Sequence, residues 1–356
     1  MEITNLQILN KYRNKKVFIT GSSGFKGAWL SYILDKFGAK VHGFSLSPDS
    51  NPFLFNQLKF TSNFKFENKD INDYKSLTQS LKKIEPDYIF HLAAESLVLN
   101  SYRDPYTTHL TNYLGVLNIL ENLRNISYSP TTVFITTDKV YLNDDNKNKA
   151  FKETDSLGGK DPYSASKSAS EILIKSYYVS FLKDMNIPVS SARAGNVIGG
   201  GDWSKNRLIP DLMKNIFENK PVNIRNINAT RPWQYILDIL FGYLRLAYFM
   251  DEDSKLYSSS WNFGPNDNNI KSVSDILKTI NSEGLSFNIT NSVNKENKEQ
   301  KYLSLDSSKA KKILKWKSLI NFNECIELTY NWYKNFYSGV DTNYLLDDEI
   351  TNYLKI

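Results

Sequence analysis

The sequence contains a single cysteine, Cys325, among 356 residues. One cysteine cannot form a disulfide within the chain, so a disulfide-stapled secreted scaffold is excluded and a reducing compartment is favoured. We interpret Cys325 as a packed thiol. The N-terminal residues combine neither a basic start nor a continuous apolar stretch, and they do not resemble a secretion signal. We therefore expect a soluble protein of the cytoplasm.

Long apolar runs and basic clusters are also missing. The longest apolar stretch, residues 236–250, is interrupted by Asp238 and Arg245 and is too short to cross a bilayer. Lys and Arg total 44 against 38 Asp and Glu, and this net charge of +6 is scattered along the chain. Partners among nucleic acids and membranes are therefore not expected, and no metal site is predicted.

The remaining composition is that of a globular protein, with 41% apolar and 23% charged residues. Short apolar runs alternate with helix-period segments in the first half, a pattern typical of a parallel sheet covered by helices. The polar segment 143–161 predicts a loop that adds almost nothing to a core. The strands are predicted at 17–20, 40–44, 88–92 and 133–136, and helices at 28–37 and 106–124.

A glycine-rich turn, Gly21-Ser-Ser-Gly-Phe-Lys-Gly27, lies between the first strand and the first of these helices. Glycines allow the backbone to approach a pyrophosphate, and the helix N-terminus offers free N–H groups. The segment after the second strand, 44–47, has neither an acid for a ribose hydroxyl nor an arginine for a 2′-phosphate. The local chemistry thus leaves NAD and NADP open, with NAD favoured because positive charge is missing.

These features predict an α/β fold with a Rossmann-type, doubly wound parallel sheet. The dinucleotide-binding domain is predicted over residues 1–190, starting at about residue 15, and a smaller C-terminal α/β substrate domain over 191–356, with short returns of the chain to the sheet. For the apolar residues Leu92-Ala-Ala94, ordinary strand packing is the alternative to a contact with the cofactor. The predicted cofactor contacts are Gly21, Ser23, Gly24, Phe25, Lys26, Gly27, Asp70, Ile71, Leu92, Ala93, Ala94, Tyr163 and Lys167.

Tyr163 and Lys167 are four residues apart, so on a helix they share one face. A nearby ammonium favours phenolate, and we expect it to lower the Tyr163 pKa so that the phenol accepts a proton from a hydroxyl. Thr137 follows an apolar strand at the sheet edge where ligands bind, and its hydroxyl can share the reacting oxygen. Together these three groups predict oxidation of an alcohol.

Asp138 and Lys139 are not required for that oxidation. An acid beside a possible base suits removal of water next to a ketone, because one group withdraws a proton and the other protonates the leaving hydroxyl. The alternative is an ordinary surface turn.

Five motifs are more specific: Thr20-Gly-Ser-Ser-Gly-Phe-Lys-Gly-Ala-Trp-Leu30, Thr137-Asp-Lys-Val-Tyr141, Arg193-Ala-Gly-Asn-Val-Ile-Gly-Gly-Gly-Asp-Trp203, Asn228-Ala-Thr-Arg-Pro-Trp-Gln234 and Trp261-Asn-Phe-Gly-Pro265. Over about residues 15–316 the chain resembles the extended short-chain dehydrogenase/reductase family of nucleotide-sugar enzymes, and within it the CDP-glucose 4,6-dehydratases. The resemblance implies NAD as a tightly held cofactor that each catalytic cycle regenerates.

The resemblance also implies individual roles on a glucose nucleotide. Tyr163 would deprotonate the 4-hydroxyl with help from Thr137 and Lys167, Asp138 would protonate the departing 6-hydroxyl, and Lys139 would be the base at C5. Lys139 stands where the dTDP-glucose enzymes carry Glu. Glu95 and Ser96, in contrast, look more like the residues of the dTDP-glucose enzymes. The identity of the nucleotide in the substrate therefore stays open. The implied substrate contacts are Glu95, Ser96, Asn196, Asp202, Trp203, Arg207, Leu208, Arg231 and Tyr302.

Three alternatives remain: a dehydratase acting on another nucleotide sugar, an NAD-dependent 4-epimerase, and a non-catalytic NAD-binding sensor. By the same resemblance, the 106–124 and 163–182 helices pair subunits. A homodimer is therefore expected, with a tetramer as the other assembly.

Overall fold

The structure is a computed structural model of the chain. It describes residues 3–48, 52–143, 150–224, 227–228, 230–265, 270–282, 289–291 and 302–356. Ala229, in the motif that ends at Gln234, lies outside the described residues.

Seven parallel strands form the main sheet, in the spatial order β10-β6-β5-β4-β1-β2-β3. The order confirms the predicted doubly wound sheet, and the four predicted strands are β1, β2, β4 and β5. The strands of this sheet are β1 (Lys16–Thr20), β2 (Lys40–Ser45), β3 (Phe64–Asn68), β4 (Tyr88–His91), β5 (Thr131–Ile135), β6 (Val189–Ala194) and β10 (Ser260–Phe263).

Smaller sheets follow β6 along the chain. β7 (Asn196–Ile198), β9 (Thr230–Tyr235) and β11 (Ile270–Ser272) form one, and β8 (Val222–Ile224) pairs with β12 (Ile289–Asn291) in another. β10 returns to the main sheet beside β6. The helices are α1 (Asn5–Lys11), α2 (Phe25–Lys36), α3 (Leu54–Gln57), α4 (Tyr74–Ile84), α5 (Val98–Arg103), α6 (Pro105–His109), α7 (Gly115–Arg124), α8 (Pro162–Tyr177), α9 (Leu208–Phe217), α10 (Ile236–Glu252), α11 (Ser254–Tyr257), α12 (Val273–Ser282), α13 (Phe322–Tyr337) and α14 (Thr342–Tyr353).

Both faces of the main sheet are buried, which explains its continuous apolar strands. In β1, Val17 and Ile19 pack into one core together with α2 and α10, whereas Phe18 packs into a second core with α4, α7 and α8. Adjacent strand residues point to opposite faces, so each apolar strand supplies both cores. The helices on these faces hold the carboxyl edge of the sheet rigid.

The predicted helix 106–124 is divided into three parts. A π-helical turn, Leu110–Leu114, joins α6 to α7, and a second such turn, Tyr178–Leu182, continues α8. Within the first turn, Asn112 is fully buried and its carbonyl accepts a hydrogen bond from Ser170 Oγ at 2.9 Å. The wider turn thus directs a polar residue toward α8, a long-range contact that helix periodicity does not reveal.

The prediction that segment 143–161 adds almost nothing to a core is wrong for the part that the structure describes. Phe151 is buried and stacks on Tyr141 with ring centroids 4.9 Å apart. The Phe151 N–H donates to the Ser304 carbonyl at 2.9 Å. A distant segment therefore covers Phe151 and completes a small core that is invisible in local composition.

Helix α10 carries the longest apolar run, residues 236–250. The two charged residues within this run are buried and have hydrogen-bond partners. Asp238 accepts hydrogen bonds from the Leu319 N–H at 3.0 Å and from Tyr353 Oη at 2.8 Å, and Arg245 Nε donates to the Leu314 carbonyl. Across the described ranges, no helix combines the length and apolarity needed to cross a membrane. Cys325 is buried as a free thiol, as predicted.

Candidate active site

A cleft of about 1290 Å³ opens at the carboxyl edge of the main sheet. Its walls come from the turn after β1, the ends of β4 and β5, the start of α8, and the segment from β7 to α9. The cleft adjoins the reversal of strand order between β1 and β4, where doubly wound sheets bind their ligands. Every predicted site residue lines this cleft except Glu95 and Trp203.

The glycine-rich turn has the close backbone packing that a dinucleotide site requires. Gly21 has φ of +67°, and a Cβ there would lie 2.6 Å from the Ala93 nitrogen. A Cβ on Gly27 would overlap the Gly21 carbonyl oxygen. Because α2 begins at Phe25 and its N-cap residue, Gly24, provides no side-chain cap, its first N–H groups remain available to an anion. These residues fit a bound pyrophosphate.

The wall beyond β2 is neutral. Ser45 Oγ and Ser23 Oγ lie 2.7 Å apart, and Ser23 Oγ also donates to the Leu46 carbonyl at 2.7 Å. Asp70 and Ile71 follow β3 and line the same side of the cleft. A ribose at this position would therefore meet hydroxyl and carbonyl groups at the end of β2.

Thr137, Asp138 and Lys139 form a tight turn directly after β5. A 3₁₀ helix covers Asp138–Val140, and Thr137 Oγ1 accepts from the Lys139 N–H at 3.4 Å while donating to Asp138 Oδ1 at 3.0 Å. Asp138 is 1% exposed, and its Oδ2 has no hydrogen-bond partner among the residues that the structure describes. Burial of an unpaired carboxylate oxygen is costly, which is typical of a group reserved for a ligand.

Tyr163 and Lys167 lie on the first two turns of α8 and are both buried. Burial raises the pKa of Tyr163 to about 12, and a side-chain hydrogen bond with Thr137 only partly opposes it. The expectation of a lowered Tyr163 pKa is therefore wrong for this state of the chain, because removal of the phenolate from water outweighs nearby positive charge. Thr137 and Tyr163 both line the cleft and lie close enough for Thr137 to lower the Tyr163 pKa.

Among the lysines that face the cleft, Lys167 is buried and Lys26 half-buried. Burial lowers the pKa of Lys167 to about 8, with the carboxylate of Glu171 opposing the fall. Burial lowers the pKa of Lys26 to about 8 as well, and the positive charge of Arg207 adds to the effect. Both ammonium groups therefore sit in a site where an incoming negative charge would be strongly favoured.

Arg207 joins the two walls of the cleft. Its guanidinium donates to Ser96 Oγ at 2.8 Å, beyond the end of β4, and to Asp202 Oδ2 at 3.2 Å, beyond β7. Arg207 also precedes α9, which begins at Leu208 without a side-chain cap. Arg231 on β9 also lines the cleft, and its guanidinium donates to the Thr230 carbonyl at 2.8 Å.

The structure does not bring Glu95 and Trp203 to the predicted substrate site. The Asn112 side chain accepts a hydrogen bond from the Glu95 N–H at 2.8 Å and donates one to the Glu95 carbonyl at 3.0 Å. These two bonds fix the backbone of Glu95 against Asn112. Trp203 packs edge-on against Trp332, with ring centroids 5.6 Å apart. Motif spacing places both residues near the cleft but does not reveal which way their side chains turn.

Sequence reasoning missed a polar pair beneath the cleft. The Thr20 hydroxyl lies 2.8 Å from His91 Nδ1 and accepts from the Ala93 N–H at 3.2 Å, which ties the end of β1 to the loop after β4. A histidine inside the apolar run Tyr88-Ile-Phe-His-Leu92 was the available signal. Arg103 at the end of α5 also lines the cleft, and no motif pointed to it.

Known proteins share both this sequence pattern and this fold. The chain is 36% identical to CDP-glucose 4,6-dehydratase of Salmonella typhimurium, over 97% of this chain and 98% of that protein. The solved UDP-glucuronic acid 4-epimerase of Bacillus cereus, in complex with UDP-glucuronic acid and NAD, has a TM-score of 0.77 and 25% identity, covering 90% of this chain and all of that one. The dTDP-glucose 4,6-dehydratase of Bacillus anthracis, in complex with NAD, shares the fold with a TM-score of 0.76 at 21% identity, covering 91% and 98%.

The family comparison agrees with these matches. The model of the GDP-mannose 4,6 dehydratase family matches residues 18–329, which include the glycine-rich turn, the turn after β5 and α8. Because the match spans most of the chain and includes every wall of the cleft, this chain belongs to the GDP-mannose 4,6 dehydratase family.

Proposed function

We propose that this chain is an NAD-dependent nucleotide-sugar 4,6-dehydratase that converts CDP-glucose to CDP-4-keto-6-deoxyglucose and water. The observation that carries the proposal is Asp138, a buried carboxylate with one unpaired oxygen beside Thr137. An enzyme that only oxidises C4 has no use for this group. The Salmonella relative named CDP-glucose 4,6-dehydratase supports the choice of substrate.

NAD, when bound, would accept the hydride from C4 and return it to C6. The turn from Gly21 to Gly27 would hold its pyrophosphate, and Ser45 and Leu46 would flank the adenosine ribose. Lys167 would hydrogen-bond the nicotinamide ribose, since the one hydrogen bond of its Nζ to the described residues is a long bond to the Ile135 carbonyl at 3.5 Å.

Oxidation at C4 would use Tyr163 as the base. Thr137 lies close enough to lower the Tyr163 pKa, so a sugar 4-hydroxyl placed between the two residues would meet both. Deprotonation of Tyr163 requires positive charge nearby, because burial alone raises its pKa to about 12. Lys167, four residues along the same helix, would supply that charge while it remains protonated.

Elimination would use the turn after β5. The C4 ketone acidifies the C5 proton, which Lys139 would remove, while protonated Asp138 donates its proton to the departing 6-hydroxyl. A water molecule leaves and a double bond forms between C5 and C6. After C6 is reduced, Lys139 returns a proton to C5. Tyr163 releases to solvent the proton that it took from the 4-hydroxyl, and Asp138 takes a proton from solvent, so both residues return to their starting states.

The substrate diphosphate would lie between Arg207 and Arg231. Both residues line the cleft, and the planar fork of donors on a guanidinium suits phosphate oxygens. The uncapped start of α9 at Leu208 adds backbone N–H groups. Asn196 and Tyr302 line the remaining wall.

A 4-epimerase is the second candidate, favoured by the likeness to the Bacillus cereus epimerase. The two activities differ at C6, because an epimer keeps its oxygen there. Purified protein should be incubated with CDP-, dTDP-, GDP- and UDP-glucose, and the products analysed by mass spectrometry and NMR. Loss of water from CDP-glucose without net NADH is expected, with Tyr163→Phe as the inactive control. An epimerised sugar or steady NADH accumulation would refute the proposal.

We further propose a cytoplasmic homodimer, with a tetramer as the alternative. Exposed apolar side chains on α6, α8 and the π-turn after α8 support the interface: Tyr106 is 76%, Ile172 59% and Val179 62% exposed. Val179→Asp should convert the assembly to monomers in light scattering. We also propose that the chain forms a cofactor-binding domain up to about residue 190 and a mainly substrate-binding domain beyond it.

A further inference from the structure

A buried ion pair lies directly behind the turn that carries Asp138. Arg193 Nε donates to Glu171 Oε1 at 2.9 Å, and Arg193 Nη2 donates to Glu171 Oε2 at 2.7 Å. The side chains are 3% and 1% exposed. Removing two charges from water costs more than their attraction typically returns, so a pair of this kind is weak evidence of a stabilising role. Another reason for its presence is therefore needed.

The pair reaches both ends of the turn. Thr136, immediately before Thr137, donates its hydroxyl to Glu171 Oε1 at 2.5 Å. At the other end, Arg193 Nη1 donates to Tyr141 Oη at 2.7 Å, and this hydroxyl donates to Asn262 Oδ1 at 2.7 Å. The segment from Thr137 to Val140 is thus anchored on each side by a charge-assisted hydrogen bond.

Glu171 connects this pair to α8, whereas Arg193 lies on β6. Glu171 follows Lys167 by one helical turn and Tyr163 by two, so the three side chains share one helix face. A displacement of Glu171 relative to Thr136 or Tyr141 would therefore change the distance between the α8 residues and the turn. Tyr163 and Lys167 on α8 act on C4 in the proposed reaction, and Asp138 and Lys139 on the turn act on C6 and C5.

We propose that Glu171 and Arg193 are positioning residues for the elimination, holding the Thr137–Lys139 turn at a fixed place against α8. The proposal rests on the proposed dehydratase function. Neither residue lines the cleft. They act through the turn, and a displacement of about 1 Å in such a site reduces rates by about 100-fold.

Two conservative variants weaken the anchors without leaving a buried charge alone. Tyr141→Phe removes the hydroxyl at the Lys139 end, and Thr136→Val removes the hydroxyl at the Thr137 end. Ser191→Ala is the matched control, because Ser191 Oγ donates to Glu171 Oε2 at 2.7 Å but lies on β6, away from the turn. Thr136→Ser keeps the hydroxyl and should restore the rate lost in Thr136→Val.

The assay is a single turnover of the NAD-loaded enzyme with CDP-glucose, followed by absorbance of the reduced nicotinamide and by product release. Tyr141→Phe should lower the single-turnover rate of dehydration by about 10- to 100-fold with little change in the substrate affinity, since the substrate-binding wall is untouched. Loss of water should slow more than C4 oxidation. Reduced nicotinamide should therefore accumulate to a higher level and last longer than in the unsubstituted enzyme and in Ser191→Ala.

The outcomes are distinct. If Tyr141→Phe and Thr136→Val match Ser191→Ala in rate and in the nicotinamide transient, the positioning role is refuted. Equal slowing of both steps together with loss of thermal stability would also refute it, since a merely structural role predicts that result. If the unsubstituted enzyme forms no dehydrated product, the proposed function itself fails, which is a separate result.

Discussion

Replacing Lys167 should stabilise the folded chain while it abolishes catalysis. Lys167 is buried on α8, and burial lowers the pKa of its ammonium from 10.5 to about 8. At about 1.4 kcal/mol for each tenfold change in acidity, this difference corresponds to about 3 kcal/mol of lost folding stability. Lys167→Met removes the charge and keeps the length of the side chain, so it should recover that free energy at neutral pH.

The cost of burying the Lys167 ammonium makes the folding stability of the unsubstituted protein depend on pH. Below pH 8 Lys167 is charged in both the folded and the unfolded chain, and the full cost of burying the charge applies. Between pH 8 and 10.5 the unfolded chain binds more protons than the folded chain, so the stability of the unsubstituted protein rises with pH. Above 10.5 the lysine is neutral in both states and the difference disappears.

Urea unfolding at pH 7 and pH 9.5 measures the effect. The advantage of Lys167→Met in the free energy of unfolding should fall from about 3 kcal/mol to about 1 kcal/mol. Lys175→Met is the matched control, because Lys175 is exposed on the same helix and should show no such pH dependence. A Lys167→Met protein that is less stable at pH 7, or whose advantage is the same at both pH values, would refute the reasoning.

Three further predictions concern the site and its support. Gly200→Ala should lower the free energy of unfolding in urea by about 3 kcal/mol, because the new Cβ would overlap the Trp332 ring. Gly339→Ala, at a position with φ of +87° and open space around it, should lower it by about 1 kcal/mol. Equal losses in the two variants would contradict the packing argument. Asp138→Asn should reduce dehydration by about 100-fold or more but still oxidise C4, leaving reduced nicotinamide bound; unchanged product formation would remove Asp138 from the mechanism. The rate of C4 oxidation should rise with pH up to about 8 and level off above it, because the Tyr163 phenolate paired with charged Lys167 gains population only until Lys167 itself loses its proton. A rate that continues to rise about tenfold per pH unit from pH 8 to 10 would exclude this role for Lys167.

Much of the cofactor half could be predicted because its signals are local. The apolar run before Gly21 and the helix period after it predict β1 and α2 from neighbouring residues alone. Tyr163 and Lys167 share a helix face by spacing, and the structure has them on α8.

The parts that could not be predicted depend on contacts between distant segments. Phe151 is buried only because residues 302–305 cover it, and Trp203 turns away from the cleft because α13 offers an aromatic surface. The raised Tyr163 pKa likewise follows from burial, and four-residue spacing to a lysine does not report burial. A helix pattern over 106–124 predicts regular geometry and cannot reveal a π-turn in its middle.

The π-turn Leu110–Leu114 allows this part of the chain to absorb one change in length. A π-turn holds one more residue than an α-helical turn, so a single-residue deletion there would restore regular helix and leave the following residues in place. Val116 and Ile119 on α7 would keep their apolar stripe against the sheet. A deletion within α7 would instead rotate the residues after it by about 100° about the helix axis. Among homologous chains, we therefore expect single-residue deletions to be tolerated in this turn more often than in α7.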